Sequence, residues 1–154
     1  MLNMPGPQQW VAEFMDKFGR SRAERPSQLS EVENLLSCEL IREEFIDELL
    51  PASGMILVDA DGDTNRPVNV VSPFNAQDLV EIADALGDII YVCYLKALKH
   101  GIDLDEVIAE IHRANMSKLG PDGKAILRED GKIIKGPNYS PPNIGRILEQ
   151  QARG

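Results

Sequence analysis

Between Arg66 and Lys96 the chain contains no Lys or Arg. Within that interval residues 76–100 (AQDLVEIADALGDIIYVCYLKALKH) repeat apolar residues at helical spacing, with Glu81, Asp84 and Asp88 set among them. At about 100° per residue the three carboxylates fall in a narrow arc of one helix face, and Leu79, Ile82, Leu86, Ile89 and Ile90 supply the apolar positions around them. Nothing on such a helix can pair with these acids at the i±3 or i±4 spacing where side chains of one helix meet. The chain is therefore expected to form a long helix whose acids draw their cations from elsewhere: basic side chains of another helix, or bound metal. Asn75 is placed to cap its start, and Gly101 to stop it after His100.

A second acidic helix lies upstream. Ser30 and Glu33 have the spacing of a capping box, and the helical pattern from Leu29 runs to about Leu50, where Pro51 is expected to end it. Glu39, Glu43, Glu44, Asp47 and Glu48 fall within ten consecutive positions of it. Glu44, Asp47 and Glu48 share a face at i, i+3 and i+4, and Glu43 pairs with Asp47 at i+4. Each such like-charge pair destabilises an isolated helix by a few tenths of a kcal/mol. Arg42, the one basic residue nearby, is expected on the side away from Glu44. Antiparallel packing of the two helices would bring the clusters together, and oxygen ligands from facing helices suit octahedral Mg²⁺ or Mn²⁺.

Charge and length narrow the chemistry. A net charge of -9 over 154 residues weighs against binding a nucleic-acid backbone, and an anionic substrate would need bound cations to approach. With 43% hydrophobic residues, positions 1–154 read as a single globular domain. No apolar run reaches membrane-spanning length and no leader-like pattern opens the chain, so the expected setting is the cytoplasm, without a membrane partner. Cys38 and Cys93 fall within helices and outside any CxxC pair, which predicts buried, reduced thiols. Asp59, Asp61 and Asp63 alternate as in a calcium loop. Gly62 falls short of the required position, however, and Val70 stands where the twelfth ligand must be Glu, so the stretch reads as a solvated turn between two short extended or strand segments, MILVD and VNVV.

The remaining segments are shorter. Residues 7–18 carry Trp10, Val11, Phe14, Met15 and Phe18 at helical spacing, expected to be core rather than a stacking platform, and the loop 19–28 carries Arg20, Arg22 and Arg25. Asp103 and Glu106 form a second capping-box pattern ahead of a helix through Met116. His100 complements a helix C-terminus and His112 reads as a surface or packing residue, so no zinc site is expected. AIL and KIIK flank an EDGK turn and predict a small hairpin. PNYSPPN is Pro-restricted and extended, placed to close over a substrate or a neighbouring subunit, and NIGRILEQQ reads as a short helix or a frayed end.

Taken together, the acids at 44–47, Glu81 and Asp84 as ExxD, the stretch GIDLDEVIAEIHRANMSKL and the tail DGKIIKGPNYSPPNI resemble the MazG-like, all-α nucleoside triphosphate pyrophosphohydrolases from about Phe14 to Ile144. The NMSK segment and the tail resemble the small phage-encoded members, among which are the enzymes that prepare purine nucleotides for 2-aminoadenine DNA. The resemblance implies an all-α helical bundle with a small C-terminal hairpin, assembled as a homodimer or homotetramer. It also implies cleavage of a (deoxy)nucleoside triphosphate, dGTP among them, to the monophosphate and pyrophosphate with two or three Mg²⁺ or Mn²⁺ ions. Carried over by position, Glu44, Asp47, Glu81 and Asp84 hold the metals, with Glu48 as the alternative to Asp47, because Asp replaces Glu in the first motif.

Glu43, beside Glu44, is the expected general base. Asn115, Lys118, Lys132, Lys135 and Tyr139 are the expected substrate contacts, since an acidic protein handling a triphosphate needs cationic groups beyond its metals. The alternatives are a dUTP or phosphoribosyl-ATP pyrophosphohydrolase, or a non-catalytic helical adaptor whose acidic faces bind a basic partner.

Overall fold

A computed structural model describes residues 6–58, 69–71 and 77–153 of the chain. Helix α1 spans Pro7–Lys17, begun by a proline whose missing N–H costs nothing in a first turn. Val11 and Met15 on its inner face are buried, whereas Trp10 and Phe18 stay largely exposed. Phe14 stacks on Phe18 and meets the edge of Tyr91. The aromatic stripe is thus core on one side only.

Helix α2 spans Glu31–Glu43 behind the Ser30/Glu33 capping box, in which both reciprocal bonds form. It continues as a π-helical turn, Glu44–Leu49, and a final α turn, α3 (Leu50–Ala52). Pro51 therefore does not end the helix as expected. A proline ring inside a straight α-helix presses on the carbonyl four residues back, here Asp47, and the wider π turn ahead of it relieves that contact.

A two-stranded antiparallel ladder follows, β1 (Ile56–Val58) against β2 (Asn69–Val71), with Leu57 opposite Val70. The DADGDT stretch between them lies outside the described residues, as does Asn75.

Helix α4 spans Leu79–Lys99. Its cap is Asp78, whose Oδ1 accepts from the backbone N–H groups of Val80 and Glu81 at 3.0 and 3.3 Å. It runs antiparallel to the α2–π–α3 helix. At one end of the seam Lys96 donates to Asn34 Oδ1 at 2.7 Å and to the buried Ser37 Oγ at 3.0 Å; at the other the Asp78 N–H donates to the Ala52 carbonyl at 2.9 Å.

The core is concentrated in the C-terminal half of α4, where Tyr94 and Leu98 pack with Val11 and Met15. In the N-terminal half Ala85 is buried, but Leu79, Leu86 and Ile90 are exposed, contrary to the core role expected of them. Helix α1 packs over the distal half of α4, and no other described element covers these three residues. Both cysteines are free, yet Cys38 is exposed rather than buried, its Sγ 3.4 Å from Lys96 Nζ. Cys93 is half-buried, and burial pushes its thiol pKa up.

Helix α5 (Leu104–Met116) turns off α4 through Gly101. The Asp103 carboxylate accepts from the Glu106 N–H at 3.2 Å, but Glu106 does not return the bond: its carboxylate accepts from Gln151 Nε2 at 2.9 Å, which ties down α6 (Ile144–Arg153). The hairpin expected around EDGK is present as β3 (Ile126–Leu127) paired with β4 (Ile133–Ile134). The fold is all-α with small antiparallel additions. No helix of the described residues is long and apolar enough to cross a membrane.

The PNYSPPN segment is strapped onto its own α5. Ser140 and Ser117 exchange two hydrogen bonds, Arg113 donates to the Pro141 carbonyl at 3.0 Å, and the Asn143 N–H donates to Glu110 at 2.8 Å. The bonds from Arg113 and from the Asn143 N–H hold the Glu110 carboxyl at about 2, against an ordinary 4.5. Its folded pKa is depressed, so its contribution to strap docking is complete above 4.5 and is lost as pH falls toward about 2. The Asn143 amide proton shift should titrate with its midpoint near the folded value of about 2, and in Glu110→Gln it should stay constant.

Candidate active site

The antiparallel seam brings the two acidic clusters face to face. A hollow of about 250 Å³ is lined by Glu44 and Glu48 from the π turn and by Glu81, Asp84, Ala85 and Asp88 from α4. The four acids other than Glu44 are exposed, and Glu44 is half-buried. Among the described residues none of the five side chains makes an ion pair or hydrogen bond, and no basic side chain lines the hollow. Burial, reinforced by Asp88, Glu48, Glu43 and Asp84, raises the Glu44 pKa above the ordinary carboxylate value.

The π turn decides which acids enter. An i→i+5 turn takes up more residues than an α turn, so residues four apart come round to nearly one face while a residue three along falls short. Glu48 accordingly joins Glu44 in the hollow. Asp47 is rotated out and stands 3.7 Å from Arg42, which also pairs with Glu39 at 2.6 Å. The shared face expected for Glu44, Asp47 and Glu48 is corrected to Glu44 and Glu48. Asp88 belongs in the hollow too; an ExxD reading of Glu81 and Asp84 omits it, although its position on the same helix face was legible.

Glu43, expected as general base, lies outside the acidic hollow. It lines a neighbouring apolar one of about 470 Å³ with Phe14, Leu36, Leu40, Tyr91 and Leu95, rimmed by Glu39, Arg20 and Lys99. Glu43 and Glu44 are consecutive, and that single step along the helix carries Glu43 round to the next face.

The expected substrate contacts gather on a different part of the chain. Lys118 Nζ donates to Asn115 Oδ1 at 2.7 Å, the Gly136 N–H donates to the Lys118 carbonyl at 2.9 Å, and Lys135 lies 4.4 Å over the Tyr139 ring. Gly136 permits this close crossing, since a Cβ there would stand 2.5 Å from the Leu119 carbonyl oxygen. Lys132 sits on the hairpin, where its carbonyl accepts from the Arg128 N–H, and is not joined to the other four by any bond of its side chain.

The donor set of the acidic hollow fits a hard divalent cation: oxygen only, anionic, and presented on two helices. As the side chains stand, no three His, Cys, Asp or Glu groups among the described residues converge closely enough to ligate an ion. Like charges without a counter-ion keep apart.

Fold and hollow together define an all-α protein of the helical-bundle class with an acid-lined cleft between antiparallel helices. The chain belongs to the phosphoribosyl-ATP pyrophosphohydrolase family, whose profile matches residues 11–115 and so takes in both acidic helices and Asn115. It is a hydrolase family acting on nucleotide pyrophosphate linkages. Among solved structures the chain is similar to a candidate NTP pyrophosphohydrolase from Exiguobacterium sp. 255-15, at 25% identity over 96% of this chain and 94% of that one, with a TM-score of 0.44. No curated protein matches.

Proposed function

We infer that the protein hydrolyses a nucleoside triphosphate to the monophosphate and pyrophosphate, with Glu44, Glu48, Glu81, Asp84 and Asp88 holding two or three Mg²⁺ or Mn²⁺ ions. The observation that carries this reading is five carboxylates in one hollow with no basic partner, in a chain of a pyrophosphohydrolase family. Bound cations would neutralise the triphosphate and lower the pKa of a water. The water oxygen attacks phosphorus, the bond to the bridging oxygen breaks, and pyrophosphate leaves. The proton passes to a carboxylate of the hollow itself, and Glu43 drops out of that role.

The neighbouring apolar hollow supports the purine reading, dGTP included. Tyr91 offers an aromatic ring for a base, and Glu39 and Glu43 offer acceptors for the N–H groups of a guanine edge. Phosphoribosyl-ATP is the second reading, favoured by the family match. The resemblance of the tail to the small phage-encoded enzymes agrees with a deoxypurine substrate. On this reading the chain works as one domain in a cytoplasmic nucleotide pool, as a homodimer or homotetramer, with no nucleic-acid or membrane partner.

The test is product analysis over ribo- and deoxynucleoside triphosphates and phosphoribosyl-ATP with Mg²⁺ or Mn²⁺. Metal-dependent monophosphate and pyrophosphate from dGTP is the expected result. Turnover of phosphoribosyl-ATP alone would select the second reading, and no turnover by folded protein would sink both.

A further inference from the structure

The two hollows lie end to end along the seam, and the charge on their walls changes sign from one end to the other. At about 100° per residue Asp84, Asp88, Leu95 and Lys99 fall within one narrow arc of α4, the first two lining the acidic hollow and the last two the apolar one. On the facing helix Glu44 lines the first hollow, and Glu43, Leu40 and Leu36 line the second, running the other way in sequence. Carboxylates therefore stand at one end, apolar side chains follow, and Lys99 with Arg20 closes the other. Lys99 lies about 16 Å along α4 from Asp88 at 1.5 Å per residue, a length that a nucleoside and a lysine side chain together cover.

Neither cation is engaged. Among the described residues the Arg20 guanidinium and the Lys99 ammonium have no hydrogen bond or ion pair. Lys99 also lines a smaller hollow with Glu33, but that carboxylate accepts from Ser30. The Arg20 N–H donates to the Met15 carbonyl at 2.8 Å, which seats the residue just past the end of α1. Glu39, half-buried on the wall of the same hollow, gives one carboxylate oxygen to Arg42 Nε at 2.6 Å; its other oxygen has no hydrogen bond among the described residues. The apolar section thus carries two free donors and one free acceptor.

We propose that Arg20 and Lys99 are specificity-determining residues that donate to the O6 and N7 atoms of a guanine base seated in the apolar hollow, while Glu39 accepts from its N1–H and N2 amino group. A nucleotide with its phosphates over the acids must lay its base along the apolar section, where the far edge meets the two cations. Guanine presents two adjacent acceptors on that edge, the commonest specific contact of Arg and Lys with a base. Adenine puts an amino group where O6 stands, so the cations would face a donor and lose a partner. The proposal rests on the triphosphate reading for what lies over the acids, but not for the reading of the base.

Two measurements separate the base from the reaction. The first is equilibrium binding of dGMP, dIMP and dAMP with Mg²⁺ present, in which no bond is broken. Lys99→Met and Arg20→Met should each weaken dGMP about tenfold and move dAMP by less than about twofold. dIMP keeps O6 and N7 but lacks the N2 amino group, so it should lose as much as dGMP. Thermal melts confirm that the variants fold, and Lys99→Ala and Arg20→Ala repeat the comparison if a Met variant does not. Equal losses for dGMP and dAMP would overturn the proposal, as would unchanged dGMP binding or no binding of dGMP by folded wild-type protein.

The second is pyrophosphate release. The same variants should lower kcat/KM for dGTP about tenfold and leave that for dATP within about twofold. An equal loss for both would overturn the base contact and leave the hydrolase reading intact. Guanine-selective, Lys99-dependent binding without turnover of any triphosphate would remove the hydrolase reading and uphold the contact. A loss confined to phosphoribosyl-ATP would put the two cations on a phosphate and overturn it.

Discussion

Replacing Glu48 by Gln should slow pyrophosphate release about a thousandfold, whereas replacing Asp47 by Asn should change it by less than about threefold. The two residues are neighbours in sequence and only the π turn separates their fates. Glu48 lines the hollow with four other carboxylates; Asp47 faces Arg42 at 3.7 Å, with both side chains about half exposed. Gln keeps the shape of Glu48 and removes its charge. A cation whose charge stabilisation is worth several kcal/mol, weakened or displaced, accounts for about three decades of rate. An exposed pair such as Arg42–Asp47 is worth about 0.2–1 kcal/mol, and its loss leaves the hollow intact. Steady-state pyrophosphate release at saturating Mg²⁺ measures both, and thermal melts with and without Mg²⁺ give a second readout. Cation-induced stabilisation should persist in Asp47→Asn and shrink in Glu48→Gln. Equal losses in the two variants would mean that the register of the π turn does not govern the site.

A loss of stability of about 3 kcal/mol is expected for Gly101→Ala. Gly101 stands at φ +71, and a Cβ there would lie 2.2 Å from the Arg25 carbonyl oxygen, a backbone atom that cannot swing aside. The left-handed conformation costs a non-glycine residue about 1–2 kcal/mol, and forcing the loop outward adds about 1–3. That loop closes the end of α4: the Ala23 N–H donates to the Leu98 carbonyl, the Ser27 N–H to the His100 carbonyl, and His100 Nδ1 meets the Ser27 carbonyl at 2.8 Å. The contrast is Gly87→Ala in the middle of α4, where nothing lies within 4 Å of the new Cβ. There a gain of about 0.5–1 kcal/mol is expected, from lower chain entropy in the unfolded state. Urea midpoints with unchanged slopes measure both, and a neutral Gly101→Ala would show that the Arg25 turn yields freely.

Most of the helical framework was legible because its signals are local. Ser30 with Glu33, the apolar repeat of α4, Gly101 after His100, and the turn between AIL and KIIK each specify a geometry within a few residues. The antiparallel meeting of the two acidic clusters was legible as well, since both lacked basic partners at helical spacing.

What escaped was set by longer-range geometry or by departures from regular pitch. A π turn leaves no periodicity of its own, and Pro51 read as a stop rather than as a sign of a wider turn ahead of it. Asp47 was therefore grouped with Glu44, and the pattern could not show that Glu43 lines the neighbouring apolar hollow. Glu106 matched a capping box but turned to Gln151, forty-five residues away. Leu79, Leu86 and Ile90 have core periodicity and no cover within the described residues, because pattern alone cannot say what a face will meet.

The acidic span is held at both ends. Lys96 fastens α2 to α4 on one side, and the Asp78–Ala52 bond with buried Leu50 fastens them on the other, so five carboxylates lie on a beam between two abutments. At about 1.5 Å per residue, Asp88 is only about 12 Å along the helix from Lys96 and Glu81 about 5 Å from Asp78. Over such short arms repulsion between the carboxylates cannot pry the helices apart, and it is confined to side-chain rotation. Pre-tension of this kind means that the work of crowding the acids is done once, when the chain folds, and a cation loaded on the proposed reading would find a scaffold that need not move. Cation loading should therefore appear as a change in carboxylate rotamers against a backbone that stays still.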